Sequence, residues 1–218
     1  MVDEIGRRLS SFAAENMSFP FSFKAVVSEM KDLSKDLFKL DTNEVVAVYS
    51  EYRLGGMLAC PNHLEAVLRL LKSLNPCVMV VIGIEANTNV PIFMDRFNET
   101  RFLFAALFDC LEVCMGRDNQ YRMTFERFFM RKSIQNIITC EGEERTFRNV
   151  KLEVWRPMFE KFGMKETELG ESSLCQANLM DNRSAHDFCT MDMDGKGLII
   201  KWKGAPIIFA SACKFHHD

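Results

Sequence analysis

Side chains able to do chemistry are few and scattered in this chain of 218 residues. Nucleophilic catalysis needs a nucleophile, a base and a group that orients the base. The histidines are His63, His186, His216 and His217, and none sits in a recognisable nucleophile turn. The terminal His216-His217 pair reads as a solvated tail. A nucleotide site would need a glycine-rich turn between a first strand and its helix, where backbone amides approach a phosphate. Gly55-Gly56 and Gly195-Lys196-Gly197 are the nearest candidates. Both lack that strand-to-helix setting, and the second reads as a hairpin turn. Cys140-Glu-Gly-Glu-Glu-Arg145 offers clustered carboxylates, but the stronger reading is a solvated helix end with Glu141 and Arg145 one turn apart. The most suggestive polar run is Glu85-Ala-Asn87-Thr-Asn89. It follows an apolar strand at its carboxyl end, where open α/β sheets place ligand crevices. With Ser50 it would line a pocket; the competing reading is a capping loop before the next helix.

Metal and redox chemistry find equally little support. Cys60, Cys77, Cys110, Cys114, Cys140, Cys175, Cys189 and Cys213 mostly sit inside apolar runs. They read as buried free thiols in a reducing compartment. The close pair Cys110 and Cys114 has no histidine near it, so no zinc site is expected. The 27 basic residues against 30 acidic ones give a formal net charge of -3, which offers no general attraction to a phosphate backbone. Direct strong nucleic-acid binding is therefore not expected. No basic-then-apolar leader opens the chain and no run of ~20 apolar residues crosses a membrane, so an intracellular protein without a membrane partner is expected. The reading calls for no cofactor and no enzymatic activity.

The elements that would hold these groups follow from hydrophobic periodicity. With 48% hydrophobic and 26% charged residues, the chain has the composition of one sizeable globular domain. Phe19–Val27 predicts a strand, and Ser28 opens a helix carrying Met30, Leu33, Leu37 and Leu40. Residues 44–52 form a β-branched run that predicts a buried strand. Leu64, Val67, Leu68, Leu71 and Leu74 make an amphipathic helix, and Cys77–Ile84, apolar on both faces, a central parallel strand. Strand, helix, strand implies a crossover unit. A long helix runs from Pro91 to about Met115 on Phe93, Phe97, Phe104, Leu107, Phe108 and Leu111, and another from Met123 to Cys140. A further helix carries Trp155, Met158, Phe159 and Phe162, with Pro157 acceptable only in its first turn, and Gly163 closes it. His186–Met193, Leu198–Trp202 and Ile207–Lys214 form two hairpins at an antiparallel edge. The fold class is a mixed α/β sheet flanked by helices.

Several of these segments resemble the plant GRAS family of regulators, of the Scarecrow-like and DELLA-like kind. Leu64 to Glu85 resembles the second leucine-rich repeat, about 60–85, and Glu85-Ala-Asn-Thr-Asn-Val-Pro91 is similar to the family's Glu-Ala-Asn-His-Asn-Ser-Pro. Arg96-Phe97-Asn-Glu99, then Phe108-Asp109 within Ala106–Glu112, and Glu141-Gly142 with Arg145 resemble the PFYRE region, about 91–150. Trp155, Phe162-Gly163, Trp202-Lys-Gly204 and Ser211-Ala-Cys213 resemble the SAW region, about 151–215. Gly83 stands where the family usually carries an acidic residue, and Cys213 replaces the tryptophan of Ser-Ala-Trp. Loss of that large side chain would cost ~2–5 kcal/mol.

The resemblance implies a partial GRAS domain over 1–218, lacking the first leucine repeat and the strand that follows it, with a Rossmann-like, methyltransferase-like fold. It also implies a nuclear transcriptional co-regulator that binds DNA-binding transcription factors, zinc-finger proteins among them, and other GRAS proteins. The alternatives are a small-molecule-binding or relic methyltransferase-like domain, and a non-functional truncated copy.

Overall fold

In the computed structural model, residues 2–41, 43–183 and 188–215 are described, and they gather into two units, Met1–Glu44 and Val45–Asp218. The first unit opens with helix α1 (Val2–Asn16), whose Asp3 and Glu4 lie in the first turn, where carboxylates complement the helix dipole. Glu4 pairs with Arg7 and Arg8. The strand expected over Phe19–Val27 does not form. Phe19, Phe21, Phe23 and Val27 are exposed, and no described strand pairs with the segment; a strand without a ladder partner leaves its backbone to water. The helix expected from Ser28 is replaced by two 3-10 turns, Met30–Asp32 and Lys35–Phe38. None of Met30, Leu33, Leu37 and Leu40 is buried, and a short helix is marginal without packing on its apolar stripe.

The second unit runs β1 (Ala47–Glu51), α2 (Leu54–Met57), α3 (Pro61–Leu74), β2 (Val78–Ile84), α4 (Phe93–Cys114) and α5 (Gln120–Thr124). A π-helical stretch, Phe125–Met130, leads into α6 (Arg131–Thr139). Then follow α7 (Leu152–Lys161), β3 (Met164–Thr167), α8 (Glu171–Arg183), β4 (Cys189–Asp194), β5 (Gly197–Trp202) and β6 (Ala205–Phe215). The sheet order is β1-β2-β6-β5-β4, and β3 takes the end of β6 that β5 leaves free. β1 and β2 are parallel through α3, the expected crossover. β2 lies inside the sheet, but it is antiparallel to its other neighbour, β6.

Three expectations change here. β1 is a sheet edge and not a buried strand, with Tyr49 63% exposed. The two hairpins form, but only β4 lies at an edge; β6, with 11 residues, is the strand that joins β2, β3 and β5. Pro157 sits in the second turn of α7, beyond the positions that have no helical N–H bond to lose.

Helices cover both faces of the sheet. On one side Leu64 and Leu68 of α3 and Trp155 and Phe159 of α7 pack against Met79, Val81, Phe209 and Cys213. On the other, Leu103 and Phe104 of α4 with Met130 and Ile137 pack around Trp202 and Ile207. Each such side chain contributes about 1.5–3 kcal/mol of transfer free energy. The layers make a Rossmann-like α/β fold. In α4 the buried face runs through Arg96, Thr100, Leu103, Phe104 and Ala106. Phe93, Phe97 and Phe108, expected to supply its bulk, are exposed.

Candidate functional site

The polar run after β2 sits at the carboxyl ends of the two parallel strands. The amide of Glu85 donates to Ile207 O at 3.0 Å, adding a rung to the sheet. Its buried carboxylate accepts from Leu152 N at 2.9 Å, at the first turn of α7. Burial raises the Glu85 pKa above the ordinary carboxylate range, against the lowering pull of that amide and of Lys151. The capping role expected of this segment is real, but it serves α7 and not the helix after Pro91. Asn87 N donates to Glu99 Oε2 at 2.9 Å. The fully buried Thr88 hydroxyl accepts from Asn149 N at 3.0 Å and Asn149 Nδ2 at 3.3 Å. Asn89 Oδ1 accepts from Arg148 Nη1 at 2.9 Å. Ser50, half-buried opposite Val81 in β1, joins none of these bonds.

A cavity of about 210 Å³ does open at this mouth, walled by Tyr52, Ile84, Leu103, Phe104, Phe129, Ser133, Phe147 and Arg148 among others. Ser50, Glu85, Asn87 and Asn89 do not line it; the last three face the 148–152 segment and α4 instead. Gly55-Gly56 does stand in a strand-to-helix setting, between β1 and α3 within α2. A Cβ on Gly55 would meet Arg148 O at 2.6 Å, so the glycine admits a neighbouring backbone there.

The arginines of the PFYRE-like stretch tie the same loops together. Arg96 is fully buried and donates to Ile137 O at 3.0 Å and to Val90 O and Pro91 O at 3.3 Å, while its Nη2 pairs with Glu141. Asn136 clamps the far side, donating to Glu144 O at 2.9 Å and accepting from Phe147 N at 2.8 Å. Arg145 is no solvated helix end: α6 stops at Thr139, and Arg145 is 5% exposed. Among the described residues its Nε and Nη1 have no hydrogen-bond partner. Burial, reinforced by the charges of Arg96 and Arg148, lowers its pKa. Phe97 stacks on Phe93 at 6.1 Å with both rings exposed.

Motif residues far apart in sequence meet elsewhere. Trp202 Nε1 donates to Asp109 Oδ2 at 2.6 Å, and Lys203 Nζ reaches the same oxygen at 2.7 Å. Lys203 and then Trp202 hold the Asp109 carboxyl below its usual range. Lys203 and Gly204, with φ of 49° and 82°, make the two-residue turn between β5 and β6, where positive φ suits the strand twist. Gly163, φ 77°, ends α7 as expected, donating to Glu160 O at 2.9 Å. Trp155 stacks on Phe159 at 5.4 Å. Ser211 donates to Glu166 Oε1 at 2.8 Å, and Glu166 Oε2 accepts from Arg156 Nε at 3.1 Å.

Both departures from the motifs have structural counterparts. A Cβ on Gly83 would lie 2.5 Å from the ring of Phe209, its partner across β2 and β6. Cys213 is 2% exposed and borders a cavity of about 290 Å³. Of the eight cysteines, all free, Cys213 alone is buried; Cys77, Cys114 and Cys175 are exposed, because several of the apolar runs lie on half-solvated faces. His63 is exposed on α3, while His186, His216 and His217 lie outside the described residues. No described helix is long and apolar enough to cross a membrane.

Known proteins are similar to this chain in sequence and in fold. DELLA protein RGL1 of Arabidopsis thaliana is 31% identical over 218 residues, spanning 99% of this chain and 42% of the relative. Scarecrow-like protein 34 of the same plant is 31% identical over 222 residues, 97% of this chain and 34% of the relative. The chain thus spans less than half the length of these relatives. The crystal structure of SCL7 in Oryza sativa superposes with a TM-score of 0.88 at 27% identity, covering 97% of this chain and 59% of that one. The GRAS domain family profile matches residues 1–214, and the chain belongs to that family.

Proposed function

We propose that the protein acts in the nucleus as a transcriptional co-regulator by binding other proteins: DNA-binding transcription factors, zinc-finger proteins among them, and other GRAS proteins. The observation that carries this reading is the set of aromatic side chains left in water around α4 and the π-helical stretch. Phe102 is 66% exposed, Phe128 56% and Phe93 47%. Exposed aromatics are the side chains that anchor protein interfaces. Arg101 lies over the Phe102 ring at 5.0 Å and Arg127 over Phe128 at 5.7 Å, giving each a cationic companion. The polar groups at the sheet mouth support the same reading, since Glu85, Thr88 and Asn89 hold backbone and loop partners.

Capture of zinc-finger and GRAS partners by the purified chain tests it. The double variant Phe102→Ser with Phe128→Ser, both at exposed positions, is expected to retain the fold and weaken capture at least tenfold. Absence of capture by cooperatively folded wild-type protein would overturn the reading. The 210 Å³ cavity at the mouth favours one other reading, a small-molecule or relic methyltransferase-like site. Saturable heat on titration with S-adenosylmethionine would select it.

A further inference from the structure

We infer that the outer face of the helical run from α5 through the π-helical stretch into α6 docks a short acidic segment of a partner protein, one that carries an apolar anchor between its carboxylates. The inference rests on the protein-binding reading above and names the chemistry of what is bound.

Charge selects the partner. Between residues 120 and 135 stand Arg122, Arg127, Arg131 and Lys132 against Glu126 alone. Arg122 is buried and already answered, by Glu112 and Glu126 at 2.7 Å each. Arg127, Arg131 and Lys132 are exposed, and among the described residues no carboxylate pairs with them. These unpaired cations stand out in a chain whose formal net charge is -3. Carboxylates of a partner complement them, which steers encounter and fixes register.

The same cations surround an exposed ring, which calls for the apolar anchor. Arg127 lies over Phe128 at 5.7 Å and Lys132 at 5.6 Å, with Arg131 one turn beyond. Phe128 is 56% exposed, and Tyr121 and Met123, earlier in the run, are 81% and 52% exposed. An apolar residue seated here would bury the ring while the carboxylates beside it meet the cations. The backbone accounts for the outward ring. Bonds from i to i+5 widen the turn over Phe125–Met130 and redistribute its side chains. Met130 is 0% exposed, and Phe129 stacks on Phe125 at 4.9 Å and meets Phe147 edge-on at 6.3 Å. The inward half of the stretch is thus held, so the platform is formed before binding.

A phosphate backbone is the competing polyanion. It needs cations spread along a groove to follow successive phosphates. Here they gather around one ring on the outside of a helix, and the acidic balance of the chain adds no wider field.

The probe is a short fluorescein-labelled peptide of the repeat Asp-Asp-Phe-Leu, followed by anisotropy. It should bind the wild-type chain saturably, with affinity falling at least tenfold between about 0.05 and 0.3 M salt. Repeats with Asn for Asp, or with Ser for Phe and Leu, should each bind at least tenfold more weakly. Arg127→Glu with Lys132→Glu should weaken the acidic repeat at least tenfold. Lys35→Glu with Lys72→Glu, exposed positions elsewhere whose reversal changes the net charge equally, should leave it unchanged. Lys132→Glu alone lies outside the π-helical stretch and decides the matter should the double variant not fold. Equal affinity in the folded charge-reversed variants, or tighter binding of oligothymidylate than of the acidic repeat, would overturn the inference. Failure of the peptide to saturate the wild-type chain while zinc-finger or GRAS partners are still captured would overturn it too, and leave the protein-binding reading standing.

Discussion

Gly83 carries a constraint that only its neighbour explains: the Phe209 ring occupies the space a Cβ would need. Gly83→Ala should destabilise the protein by about 1–3 kcal/mol, the usual cost of forcing an extra carbon into a packed site. In a Phe209→Ala background the same substitution should cost little, and urea titration of the four proteins measures the coupling. Glu85 makes a pH-dependent contribution of unusual sign. Its folded pKa is raised by burial, so over the window from the ordinary carboxylate value up to the raised one the folded state binds more protons than the unfolded state. Stability therefore falls as pH rises through that window. Glu85→Gln keeps an acceptor for Leu152 N and removes the charge, so its thermal midpoint should lose that part of the fall. Arg145 is a buried cation that, among the described residues, lacks hydrogen bonds at two nitrogens, and the charges of Arg96 and Arg148 act on it. Arg145→Met should gain about 1–3 kcal/mol by removing those unsatisfied donors, and a loss of stability would mean that the guanidinium finds acceptors in solution.

Among helices and strands, the parts open to sequence reading were those encoded locally. The three-and-four spacing of α3, the apolar run of β2 and the glycine turns of the β4-β5-β6 hairpins each carry their own signal. β1 could be read as a strand but not as an edge, because a β-branched run looks alike in either place. β3 has four residues, three of them polar, and α8 is mostly polar, so neither offers a period to read. The site was visible in half. Glu85, Asn87 and Asn89 stood out as a polar run after a strand, but the groups that use them, Leu152 and Arg148, lie 67 and 59 positions away. Tyr52 and Arg148, which do line the mouth cavity, carry no local mark of it. Pro157 gives a prediction that belongs to its helix. It interrupts α7 in the second turn, so Pro157→Ala should restore an N–H bond to Glu153 O and add about 1–3 kcal/mol, seen as a higher denaturant midpoint. A fall instead would mean that the proline's bend is needed to seat Trp155 and Phe159.

Taken entire, the larger unit is a sheet clamped by helices on both faces, and its cohesion depends on contacts between distant segments. Asp109 of α4 holds Trp202 and Lys203 of the β5–β6 hairpin across 93 residues of chain. β6 does more: β2 lines one of its edges while β5 and β3 divide the other. Synthesis delivers residues 205–215 after every other described strand. Until they emerge, no strand links β2, β3 and β5. A chain cut before Ala205 would therefore lose three strand pairings at once, so the integrity of the whole sheet is vested in one late segment.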